Sequence, residues 1–474
     1  MKHVLFISLT FLVMTAAGQQ ILVSPYLQPG NAPTLLREQK VLIWHTDSIQ
    51  GVFKVEFAPG EALSSSPKIS TAKVSPVTLH IGGKTSLLYR ATLSGLNFDA
   101  AYSYRVSLGD KIISEETFIT RTKKSMTRFV VFGDCGTGSP QQKAIAYQVS
   151  QQKPQFVLVA GDNVYSSGLM REYQTRFFPA YLSPENSPEK GAPLMKSIPF
   201  YMLVGNHDVQ ATDLDKFPDG LAFFYYNDLP LNAPVAELTV KATGSPETVK
   251  AFEKATGGRY PKLANYSFDC GNVHITCLDA NVYANPLEAT LVEWMRRDIS
   301  SSKADWKIVA FHQPGFNGSS THYNYQPMRL LSPLLEELEV DMVLCGHVHN
   351  YQRTRPLKFV PKRNEAGDRY IISPEGKVDG VFTLDEKFDG LSNTKPRGII
   401  YIVSGAGGAG LYDAAISKKP DLWKHEPPEN WVPFIVKLIS DIHSFTVIET
   451  EGKKLTLRQL DAQGVAVDEI HVTK

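Results

Sequence analysis

Five apolar runs of this sequence stop on residues that bind metals or move protons. "RFVVFGD" ends on Asp134, "QFVLVAGD" on Asp162, "IPFYMLVGNH" on Asn206 and His207, "WKIVAFH" on His312, and "VDMVLCGHVH" on His347 and His349. One Gly-Asp after a strand is commonly a turn, and a lone histidine is more often structural than a ligand. Five such endings are another matter, because strand ends of an open α/β sheet converge on one edge and would bring these side chains into one cleft. Oxygen and imidazole donors without a set of thiolates suit Zn, Fe, Mn or Ni rather than a soft metal. In "GDNVY" the carboxylate of Asp162 is followed three residues later by the phenol of Tyr165, an unusual group with which to end a buried strand.

The elements that must position these residues fall into two segments of different grammar. From Ile21 to about Arg121 short β-like runs alternate with turns ("KVLIWHTDS", "VFKVEFAPG", "SLLYRATLSGL", "AYSYRVSLGD", "EETFITRT"). No helical period interrupts them, which predicts a small all-β sandwich. Trp44 with Leu93, Leu96, Tyr102, Tyr104 and Val106 resembles the core and tyrosine corner of a fibronectin type III module. "RTKKSM", from Arg121 to Met126, reads as a polar linker. After it, "RFVVFGDCG", the helix-spaced "SPQQKAIAYQVSQQ" and "QFVLVAGDNVY" form a βαβ unit, the start of an α/β domain. Residues 181–193 and 361–396 read as irregular insertions.

At 474 residues, 43% hydrophobic and 20% charged, the chain can bury a large core and accommodate two domains. A net charge of +1 gives no reason to expect nucleic acid or an anionic membrane as a partner. Residues 1–18 have a basic start, an apolar run and small residues before Gln19, the pattern of a signal peptide. The expected location is therefore secreted or periplasmic, with no membrane anchor. Four cysteines in an exported chain invite disulfides. However, "CGNVHITC" reads as a hairpin whose register sets Tyr266, not Cys270, opposite Cys277, leaving the sulfurs roughly 13 Å apart at strand rise. All four read as buried thiols.

"GDCG", "GDNVY", "GNHD", "VAFH" and "GHVH" resemble, in order, the five blocks of the calcineurin-like metallophosphoesterases, and specifically of the purple acid phosphatases, over about Arg128 to Lys474. The resemblance implies a catalytic domain over 127–474, a central β-sandwich flanked by helices, preceded by a fibronectin-like domain over 19–122. It implies that Asp134, Asp162, Tyr165 and His349 hold a ferric ion and that Asp162, Asn206, His312 and His347 hold a divalent one (Fe, Zn or Mn), with Asp162 bridging. His207, beside a ligand position, either protonates the leaving group or binds phosphate. His322, ten residues after His312, resembles a second phosphate-orienting histidine, although insertions there loosen the alignment.

Charge counting then explains the phenol. Two aspartates and a phenolate carry three negative charges, so a ferric-divalent pair retains +2, or +1 with a hydroxide, and attracts a phosphate dianion. Two divalent ions with hydroxide would retain none, so Tyr165 argues for Fe(III); as a wall residue it would fit an ordinary divalent site. The implied activity is hydrolysis of small phosphate monoesters by a hydroxide that the ions generate, with an acidic optimum. A phosphodiesterase on the same scaffold and a binding protein without turnover are the alternatives. "GAGGAG", from Gly405 to Gly410, satisfies a dinucleotide pattern but lacks a βαβ continuation and reads as structural. His45, His80, His274, His425, His443 and His471 fall in no motif and read as surface or packing residues. Asn265-Tyr-Ser and Asn317-Gly-Ser are glycosylation sequons in a host that glycosylates. The oligomeric state is not legible.

Overall fold

The computed structural model describes residues 19–66, 68–412 and 434–474; His425 and the signal peptide expected over residues 1–18 lie outside them. Strands β1 (Ile21–Gln28), β2 (Glu38–Thr46), β3 (Phe53–Pro59), β4 (Ser70–Ala72), β5 (Val74–Ile81), β6 (Lys84–Leu96), β7 (Ala101–Leu108) and β8 (Lys111–Ile119) form two antiparallel sheets, ordered β1-β2-β6-β5 and β4-β3-β7-β8. Their inner faces share a core in which Trp44 stacks on Tyr89 and meets Phe53 of the facing sheet edge-on, with centroids 5.1 Å apart.

β2 reads as a continuous apolar run because both of its faces are buried. Leu42 and Trp44 point into the sandwich, while Val41 and Ile43 join the core of the following domain, as the period-2 alternation of strand side chains requires. The two halves are locked together. Arg121 is not in a loose linker: it is 5% exposed, its Nε donates to Glu38 Oε2 at 2.6 Å, and its Nη1 and Nη2 donate to the carbonyls of Asp269 (3.0 Å) and Arg37 (2.9 Å). The composition of "RTKKSM" suggests solvent; five acceptors from two distant segments decide otherwise.

The larger half is built on two further sheets. One contains β9 (Met126–Phe132), β10 (Phe156–Val159) and β11 (Phe200–Met202). The other contains β12 (Tyr266–Cys270), β13 (Val273–Leu278), β14 (Trp306–Phe311), β15 (Met342–Cys345), β16 (Tyr351–Thr354) and β19 (Ile400–Ser404), with β20 (Ile435–Ile439) at its edge; β17 (Leu357–Pro361) and β18 (Gly380–Leu384) pair separately. β21 (Ser444–Glu451), β22 (Lys454–Asp461) and β23 (Ala466–Thr473) complete the first sheet, β21 running antiparallel beside β9. Ile308 and Ala310 of β14 enter the core between the sheets. Val309 and Phe311 face the outer layer with Leu291, Trp294 and Met295 of a helix over Ala289–Ser301. Helix Pro140–Gln152, capped by Ser139, joins β9 to parallel β10. The central β-sandwich that the resemblance implies is present, and the functional strand ends come from both of its layers rather than from the edge of one open sheet. The insertion read as irregular over 361–396 contains β18. Asn265 and Asn317, the two sequon asparagines, are buried and hydrogen-bonded, Asn265 Oδ1 to Asp279 N–H at 2.9 Å and Asn317 Nδ2 to the Thr321 carbonyl at 2.8 Å, so neither offers an acceptor on the surface.

The hairpin register is the expected one, Tyr266 opposite Cys277 and Cys270 opposite Val273, and all four cysteines are free and buried. Among the described residues no helix is long and apolar enough to cross a membrane.

Candidate metal centre

The strands deliver their side chains through tight left-handed turns. Asp134 (φ 57°), Asp162 (φ 49°) and His347 (φ 67°) each follow a glycine at a strand end and occupy the left-handed region, a conformation that costs a residue with a side chain of order 1–3 kcal/mol and clusters at functional sites. The preceding glycine is needed for space. A Cβ on Gly161, whose φ is +89°, would lie 2.4 Å from Nδ1 of His312. The turns are also tied to each other: Asp134 N–H donates to the Gly161 carbonyl at 3.0 Å, and Gly346 N–H to that of His312 at 3.1 Å.

All nine residues singled out in the sequence converge, in two adjoining groups. The Tyr165 hydroxyl lies 3.1 Å from Oδ1 of Asp134, 3.1 Å from Oδ2 of Asp162 and 2.9 Å from Nε2 of His349. On the other side, Nε2 of His312 lies 3.2 Å from Oδ1 of Asp162 and 3.2 Å from Oδ1 of Asn206. His347 joins this second group, with ligand atoms of Asp162, His312 and His347 all within 4.8 Å of one another. Asp162 therefore presents one oxygen to each group. His207 lies over Tyr165, ring centroids 4.5 Å apart, with its Nε2 3.9 Å from Oδ2 of Asp162; His322 lies against His347 at 4.0 Å.

Main-chain carbonyls fix the free nitrogen of two imidazoles. Nδ1 of His312 donates to the Ala160 carbonyl at 2.7 Å and Nδ1 of His349 to that of Gly410 at 2.6 Å, which leaves Nε2 of each facing the cluster. The Gly-rich run is thereby accounted for as packing: it supplies the His349 acceptor, and a Cβ on Gly407 would lie 2.3 Å from the Gly133 carbonyl.

The electrostatics show a donor set short of positive charge. Burial, reinforced by the charge on Asp162, pushes the Asp134 carboxyl well above the usual range. Burial and the two carboxylates do the same to the Tyr165 phenol. Burial opposes ionisation of Asp162 too, but the charge on His312 outweighs it and holds this carboxyl low; His312 is pushed up to about 9 against its own burial. Burial lowers His347 well below its ordinary value and His349 to about 4, so both stay neutral and able to coordinate. Donor separations of 2.9–3.5 Å fit a shared ion, since bonds of about 2.0–2.2 Å place neighbouring ligand atoms about 2.8–3.6 Å apart. The residues fit metal.

Sequence reasoning missed the groups that hold these residues. Asp208, in the same "GNHD", accepts from Asn163 N–H (3.2 Å), Asn163 Nδ2 (2.8 Å) and Gly205 N–H (2.9 Å), joining two strand ends. Its place directly after His207 was the available signal. Tyr412 stacks on His349 at 3.9 Å and 10°, and nothing local marks it.

Residues 127–351 match the family model Calcineurin-like phosphoesterase, and the fold and the converging strand ends agree with it. These residues form a calcineurin-like phosphoesterase domain, of a metal-dependent class. Within that class the chain is similar to the purple acid phosphatases. It is 25% identical over 333 residues to purple acid phosphatase 23 of Arabidopsis thaliana, covering 64% of this chain and 66% of that one. It is 27% identical over 255 residues to tartrate-resistant acid phosphatase type 5 of Sus scrofa, covering 49% of this chain and 67% of the other. The alignments thus span about two thirds of each relative. The purple acid phosphatase PPD1 of yellow lupin (Lupinus luteus) seeds shares the fold, with a TM-score of 0.64 at 16% identity, covering 95% of this chain and 74% of that one.

Proposed function

We propose that this protein is an exported phosphatase that hydrolyses phosphate monoesters at a binuclear centre of Fe(III) and one divalent ion, Fe, Zn or Mn. The proposed layout is a signal peptide over 1–18, a fibronectin type III-like domain over 19–122 and a catalytic domain over 127–474. The observation that carries the reading is the division of Asp162, with Oδ2 at 3.1 Å from the Tyr165 hydroxyl and Oδ1 at 3.2 Å from Nε2 of His312. Asp134, Tyr165 and His349 would complete one ligand set; Asn206, His312 and His347 would complete the other. The leader supports export, and the Tyr102 hydroxyl accepting from Asn97 N–H at 3.1 Å supports the tyrosine corner.

Such a pair of ions, when bound, polarises the phosphate oxygens and activates the attacking water. The protein's own groups do the rest. Nδ1 of His207 donates to the Ser166 carbonyl at 2.6 Å, so Nε2 is the nitrogen free to act. As the P–O bond to the leaving group breaks, the proton on Nε2 passes to the departing oxygen. His322, next to His347, orients the phosphate.

Metal analysis tests the layout. Asp162→Asn should lose both ions and all turnover, whereas Asn206→Ala should lose only the divalent one. Loss of a single ion from Asp162→Asn would overturn the bridge. Release of phosphate from an aryl monoester, but not from a bis-aryl diester, is the expected specificity.

A further inference from the structure

The proposed acid is aimed by a main-chain carbonyl, and that carbonyl is aimed by a carboxylate that no sequence motif contains. Ser166, the acceptor for His207 Nδ1, belongs to the loop directly after Tyr165. Glu172, only 6% exposed, organises this loop. Its Oε1 accepts from Ser166 N–H at 2.6 Å, and its Oε2 accepts from Ser167 N–H at 3.1 Å and Leu169 N–H at 3.0 Å. Arg176, one helical turn further on, donates to the Tyr165 carbonyl and lies 3.5 Å from Oε1 of Glu172. Both flanks of the Tyr165–Ser166 peptide are thus held by one ion pair.

The same loop is fitted against the turn that carries His207. Ala211 N–H donates to the Ser167 carbonyl at 3.3 Å, and a Cβ on Gly168, whose φ is +70°, would lie 2.2 Å from the Asp208 carbonyl oxygen. A shift of Ser166 cannot be taken up by the loop alone. Three N–H donors converge on the two oxygens of this carboxyl group, so each oxygen is used as an acceptor. An amide has a single acceptor oxygen, and its NH₂ would face a donor.

We propose that Glu172 is the positioning residue for His207: by fixing Ser166 it sets the imidazole so that Nε2 faces the leaving group. This rests on the acid role proposed above for His207. Misplacing a reacting group by about 1 Å can cost about 10²-fold, so the effect should be large only where the acid matters.

The test is a double-mutant cycle on the metal-loaded protein, read with an alkyl phosphate and with nitrophenyl phosphate. Glu172→Gln should lower kcat for the alkyl ester by about 10-fold or more, with metal content unchanged and a clearly smaller loss on nitrophenyl phosphate. In a His207→Ala background it should cost nothing further on the alkyl ester. Equal losses on both esters, or additive losses in the cycle, would mean a general structural role and overturn the proposal. A second readout is independent of turnover. In the zinc-exchanged protein with 15N-labelled histidine, the His207 Hδ1 resonance should be protected in the wild type and lost in Glu172→Gln; its persistence would overturn the proposal. If the wild type hydrolyses neither ester, the functional reading fails, and the resonance alone decides the role of Glu172.

Discussion

The hydroxyl of Tyr165 stands 2.9 Å from Nε2 of His349, the two rings meeting edge to face at 84°. Neither group ionises easily where it lies: burial lowers the imidazole to about 4 and keeps it neutral, and burial with the two carboxylates opposes loss of the phenol's proton. A trivalent cation between them would accept both as ligands.

That geometry leads to a colour. A phenolate on Fe(III) should give the purified protein a visible charge-transfer band, and Tyr165→Phe should abolish or greatly weaken it while the fold survives. The measurement is a visible spectrum beside metal analysis. A colourless, iron-free and fully active wild type would remove the ferric assignment.

His207 should separate from the ligands by its leaving-group dependence. His207→Ala should retain the metals and lose about 10²-fold or more on an alkyl phosphate, whose basic alkoxide needs a proton in the transition state. The loss on nitrophenyl phosphate, which expels a stable anion, should be clearly smaller. Equal losses would assign His207 to phosphate binding instead.

His274 gives a pH dependence away from the metals. Its ring is buried between Oδ1 of Asp269 at 2.7 Å and Oδ2 of Asp298 at 3.0 Å. Burial works against its charge, but the two carboxylates outweigh it and push the pKa from 6.5 up to about 9. Because the folded value is raised, the stabilisation is fully present below about pH 6.5 and is lost as pH rises through about 9, up to about 3 kcal/mol. Urea unfolding at pH 6 and pH 9.5 should show that loss in the wild type, and Asp298→Asn should shrink it by half or more. An unchanged pH slope in Asp298→Asn would show that the ion pair contributes nothing.

What the sequence determined by itself lies within single runs of chain. The strands, the helix over Pro140–Gln152, the register that keeps Cys270 from Cys277, and the polar residue at each strand end are set by local periodicity, caps and turns. Such signals need no knowledge of what lies opposite. They sufficed to pick out Asp134, Asp162, Asn206, His207, His312, His347 and His349, because each lies within a few residues of the end of an apolar run, whereas the roles of Tyr165 and His322 rested on the family resemblance.

Only the tertiary structure decided how those runs are layered and what holds them. β2 looks like any buried strand until Val41 and Ile43 are seen to join a second core. "RTKKSM" has the composition of a linker, yet Arg121 finds Glu38 and Asp269 from distant parts of the chain. Asp208 and the Gly410 carbonyl act on Asn163 and His349 across turns that meet only once β10 lies beside β11 and β15 beside β19, and Glu172 reaches Ser166 only through the fold of its own loop. A hydrogen bond depends on distance and direction in space, and spacing along the chain records neither for groups that long-range packing brings together.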